Sequence, residues 1–176
     1  MRRVPVFLVL IQVLLCTCVM AQAPSSPDKE APATDSPKPV APAVLEREFF
    51  AVIRNGDALQ FLSYVSEDGV HLGRYADHTT RAEVEDQLTH RTGLYCKLFD
   101  SSCIQPDKTG TLKSCSYREL LTQSDRVRTA STEATRNNVR QAILVAEVHN
   151  QKCAGPGLID FIFNYQQGGW KLFSIP

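Results

Sequence analysis

Leu158-Ile159-Asp160-Phe161-Ile162-Phe163-Asn164-Tyr165 puts Ile159, Phe161, Phe163 and Tyr165 on one side and Asp160 and Asn164 on the other. A period of two belongs to a β-strand with one face buried. Gln166-Gln167-Gly168-Gly169 then turns the chain, and Trp170 to Ile175 returns along it. Immediately upstream, Val139 to His149 is a long apolar-rich run with Ile143 and Val145 facing one way and Leu144, Ala146 and Val148 the other. Val127 to Thr135 alternates loosely before an Asn137-Asn138 turn. Three or four strands joined by short turns predict an antiparallel meander.

The residues before the meander follow a different period. Leu45, Phe49, Val52 and Ile53 recur at i, i+4, i+7 and i+8 between Val44 and Arg54, the apolar stripe of an amphipathic helix that Asn55-Gly56 stops. Asp57 can cap a second helix carrying Phe61, Leu62 and Val65, and Glu67-Asp68-Gly69 turns into a strand at Val70 to Gly73. Thr80-Arg81-Ala82-Glu83 and Ser116-Tyr117-Arg118-Glu119 have capping-box spacing, so a helix opens after each, the first ending before Gly93. Helices first and strands afterwards predict an α+β domain over residues 44–176, with helices covering one face of a curved sheet.

The amino end reads as something other than fold. Met1-Arg2-Arg3 is positive, Val4 to Val19 is almost wholly apolar, and Ala21-Gln22-Ala23 offers small residues for processing. That is the pattern of a secretory signal peptide, residues 1–21, cleaved after Ala21 because Pro24 makes an awkward start for the next site. Pro5 and Gln12 interrupt the run, which is shorter than the roughly 20 residues a membrane span needs. Residues 22–43 hold six of the ten prolines and read as an extended linker. No membrane association is expected after cleavage.

Cys16 and Cys18 fall in the leader, leaving Cys96, Cys103, Cys115 and Cys153. Four cysteines in an exported chain are expected to form two disulfides, in a periplasmic or secreted setting. Of the three connectivities, Cys96 with Cys103 and Cys115 with Cys153 is preferred, and spacing alone does not prove it. No C-x-x-C pair is present, so no zinc site is expected, and no cofactor either.

Nineteen basic and 19 acidic side chains give no net charge, and no Lys or Arg block supplies the positive surface that nucleic-acid binding needs. The chain contains no P-loop, G-x-G-x-x-G, H-E-x-x-H, EF-hand loop or Ser/His/Asp order. Common hydrolase, kinase and dehydrogenase chemistry is therefore not expected.

The phrase Phe61-Leu62-Ser63-Tyr64-Val65-Ser66-Glu67-Asp68-Gly69-Val70, with Phe161-Ile162-Phe163-Asn164-Tyr165 and Gly169-Trp170-Lys171-Leu172, resembles the nuclear transport factor 2-like, or SnoaL-like, superfamily over roughly residues 44–176. The resemblance implies a cone: a bent, cystatin-like sheet wrapped around the first helix, with a pocket open at one end. It also implies steroid isomerases, polyketide cyclases, dehydratases or non-catalytic binding domains, without selecting among them.

Candidate residues follow. His71 is opposite in facing to Val70 and Leu72 on its strand and could serve as a base near neutral pH. Tyr75, Asp77 and His78 lie close by, in what reads as a polar loop before a helix cap. Asp160 and Asn164 share one strand face with Leu158 and Ile162, the polar-among-apolar make-up of a small-molecule site, to which Tyr64 and Glu147 are added. The leading expectation is a non-catalytic exported domain that takes a small apolar or amphipathic ligand or another protein. The alternative is a lyase or isomerase using His71 or Asp160 as general base. A third expectation is a homodimer through an open sheet face around Phe161, Phe163 and Trp170.

Overall fold

The computed structural model describes residues 40–73, 77–104, 113–154 and 157–176. The segments expected to be leader and linker, save the last four residues of the second, and Tyr75 lie outside that range. The helix α1, Pro42–Asn55, starts two residues earlier than expected because Pro42 occupies a first-turn position where its missing N–H removes no bond. Its end is a Schellman motif: the Gly56 N–H donates to Ile53 and that of Asp57 to Val52, with Gly56 at φ 70°. The side chain of Asp57 then accepts from the Gln60 N–H at 2.9 Å and opens α2, Ala58–Tyr64.

The strand β1, Val70–Leu72, pairs antiparallel with β2, Asp77–Thr79. Gly69 precedes it at φ 94°, and a side-chain carbon there would lie 2.1 Å from the Thr79 carbonyl oxygen. Only glycine fits. Both expected capping boxes form, at Thr80 opening α3, Arg81–Thr89, and at Ser116 opening α5, Tyr117–Gln123. Between them stands α4, Leu94–Leu98, which begins after Gly93.

The meander is β4, Arg126–Arg136, β5, Val139–His149, β7, Leu158–Gln166, and β8, Gly169–Ile175. Asn137 and Asn138 at φ 50° and 62°, and Gln167 and Gly168 at 49° and 83°, form its two-residue turns. Two short strands, β3 (Lys113–Ser114) and β6 (Cys153–Ala154), pair in parallel beside it. The main sheet is curved and unclosed, in the order β2-β1-β8-β7-β5-β4, with β1 parallel to β8. Among the described residues no helix is long and apolar enough to cross a membrane.

The core lies between α1 and one face of the sheet. Phe49 meets Phe161 and Phe163 with ring centroids 4.9 Å away in each case, and Phe61 at 5.9 Å. Ala142, Leu144, Ala146 and Ile159 complete that face, all fully buried. Each large apolar side chain so buried stabilises by about 1.5–3 kcal/mol relative to exposure. Two expectations are thereby corrected. The space beneath α1 is filled by rings where a hollow was expected, and Phe161, Phe163 and Trp170 are core residues that cannot be an exposed dimer contact. Trp170 is further held by its indole N–H, which donates to the Val40 carbonyl at 2.7 Å.

The cysteines pair Cys96 with Cys103 and Cys115 with Cys153, with Cα atoms 5.6 and 5.5 Å apart. The second bond ties the entry of α5 to β6. Such bonds belong to an oxidising environment.

Candidate functional site

The ladder between β7 and β8 reaches no further than Ile162 opposite Ser174, while β8 goes on to pair with β1 through Ile175. A notch opens where the two strands part. Its volume is about 560 Å³. The walls carry Leu158 and Ile162 as apolar surface and Lys97, Tyr117, Asp160 and Ser174 as polar groups. Lys97 comes from α4 and Tyr117 from the first turn of α5, so the segment clamped by the two disulfides supplies one wall and β7 the other.

Both imported groups hold the same acceptor. The Tyr117 hydroxyl donates to the main-chain oxygen of Pro176 at 2.9 Å, and the Lys97 ammonium donates to it as well. The Lys97 nitrogen lies 5.7 Å from the centre of the Tyr117 ring. Burial lowers the pKa of Lys97, since a half-buried ammonium loses hydration. Burial raises the Tyr117 phenol, and the nearby Asp160 carboxylate adds to the rise. The notch therefore presents a cation, a neutral phenol and an exposed carboxylate over an apolar floor. Such a set can hold a head group that both accepts and donates hydrogen bonds, with its hydrocarbon part on Leu158 and Ile162.

The expected site residues do not all meet here. Asp160 lines the notch. Asn164, on the same strand, is buried and accepts from the Gln141 side-chain N–H at 2.9 Å, in a separate hollow of about 400 Å³ with Val139 and Phe173. Glu147 is exposed at a position opposite Leu158. Tyr64 packs edge-on against Phe49 at 5.4 Å and against Phe163 at 6.0 Å, on the core side of the sheet. Its hydroxyl pKa is raised by burial, with Glu48 adding to it. His71 is half-buried on β1, opposite His78 of β2, so Asp77 and His78 are strand residues, contrary to the loop expected for them. Their pairing to β1 satisfies the backbone of a segment too short and polar to announce a strand.

Lys97 and Tyr117 were not among the expected site residues. The buried residues of α4 are Leu94, Cys96 and Leu98, a period of two that mimics a strand, so nothing local marks Lys97 as facing a cleft. Tyr117 carried one usable signal: it follows a capping Ser116 next to a paired cysteine, which fixes its direction.

No family model matches the chain, and no curated protein is similar to it. Among solved structures it is similar to a substituted form of the designed nuclear transport factor 2-like protein Rd1NTF2_05, with 10% sequence identity and a TM-score of 0.42 over 76% of this chain and 92% of that one.

Proposed function

We propose that this protein is an exported, nuclear transport factor 2-like domain that binds a small amphipathic molecule without transforming it. The observation that carries the reading is the notch in which Lys97, Tyr117 and Asp160 surround Leu158 and Ile162. Export is supported by the leader pattern and by the two disulfides. Native mass spectrometry of protein purified without delipidation should find a small molecule retained, and calorimetric titration with decanoate should fit one site. Lys97→Met should weaken that binding at least tenfold. An empty protein that ignores decanoate, or a Lys97→Met variant of unchanged affinity, would overturn the proposal.

One observation favours a second reading, a lyase or isomerase. Asp160, a carboxylate able to take a proton, stands close enough to Tyr117 to raise its pKa, and the neutral phenol would donate to a substrate oxygen in place of that of Pro176. His71 is not among the residues that line this notch. Turnover that survives in a His71→Ala, Asp160→Ala double variant rejects this second reading.

A further inference from the structure

His71 and His78 occupy directly opposed positions of the β1–β2 hairpin, with ring centroids 5.2 Å apart. Side chains at opposed positions leave a sheet on the same face. Behind them the ladder shifts register, Phe163 pairing with Leu172 and Ile162 with Ser174, so that Phe173 is the extra residue of a bulge. Its ring lies 4.8 Å from that of His71. The Nδ1 atom of His71 is buried and has no hydrogen-bond partner, whereas buried imidazole nitrogens ordinarily have one.

We propose that His71 and His78 together bind one divalent transition-metal ion of the copper, nickel or zinc class, each through one imidazole nitrogen. Neutral imidazole is the commonest protein ligand for these ions. Two imidazoles held at about 2.0–2.1 Å from a tetrahedral ion have ring centroids roughly 5 Å apart, as these two do. The nearby Glu83 carboxylate places one oxygen, Oε2, on the Thr80 N–H and hydroxyl, both at 2.8 Å, and the proposal rests on the two imidazoles alone. Among the described residues no three of His, Cys, Asp and Glu converge as a metal site. With two imidazoles as its ligands among the described residues, the ion has coordination positions left for water or a small ligand, unlike a closed structural site. The other histidines stand elsewhere: His90 contacts Asp86 at the end of α3, and His149 ends β5.

The test is calorimetric titration of tag-free protein, disulfides intact, with copper, nickel and zinc chlorides. Copper should bind one ion per chain. His71→Gln and His78→Gln should each weaken binding at least tenfold, and the double variant little further, while His90→Gln and His149→Gln leave it unchanged. Should His71→Gln fail to fold by circular dichroism, His78→Gln, at an exposed position, carries the test alone. No binding of any of the three ions at millimolar concentration, or unchanged copper affinity in His78→Gln, would overturn the proposal.

Discussion

The two faces of β7 show what one strand can be asked to do. Ile159, Phe161 and Phe163 are fully buried against α1, whereas Leu158 and Asp160 on the other face are exposed. A close-packed face resists any change of volume. An open face tolerates change and is therefore where polar groups can be arranged for a ligand. Phe49→Ala, which removes the ring at the centre of the packed side, should destabilise by about 3–5 kcal/mol in chemical denaturation. A loss near that of an ordinary surface change would mean that the space beneath α1 is not filled as described.

The disulfides extend the comparison to the segment that builds the notch wall. Cys115–Cys153 spans 38 residues and Cys96–Cys103 only 7. Chain entropy then assigns them about 4 and about 2 kcal/mol. Replacing both cysteines of each pair by serine should reproduce that order, and the reverse order would count against it. Tyr117→Phe should lose about 0.5–1.5 kcal/mol, the worth of one hydrogen bond.

The phenol also predicts a pH dependence. Because burial, with Asp160 adding to it, raises the Tyr117 pKa from 10.0, the folded protein keeps a proton that the unfolded chain releases. This contribution is whole below pH 10.0 and is lost as pH rises through the folded value. Stability should fall above pH 10.0, and Tyr117→Phe should make that fall shallower, Tyr64 retaining part of it. A fall of equal steepness in both proteins would contradict this. At the small end, Asp160→Asn should change stability by less than about 0.5 kcal/mol and raise decanoate affinity, because it removes a like charge from the notch that takes the anionic head group.

What could be read from residues alone follows the same division. The meander, its Asn137-Asn138 turn, the stripe of α1 and both capping boxes are legible because periodicity and turn chemistry are local. The α4 helix is not, since five residues with a misleading period are held by Cys96 and by packing. Asp160 was legible as a polar group on a strand face. Its partners Lys97 and Tyr117 were not, because they reach the notch from elements far away in sequence. Nor was the filling of the space beneath α1, which depends on how the Phe49 ring interlocks with those of Phe61, Phe161 and Phe163.

Amide chemical-shift mapping of the protein titrated with decanoate tests the location of binding most directly. The expected result is a set of perturbed amides confined to the neighbourhood of Lys97, Tyr117, Asp160 and Ile162. Perturbations centred instead on Phe49, Phe61 and Phe163 would place the ligand beneath α1 and contradict the assignment of the notch.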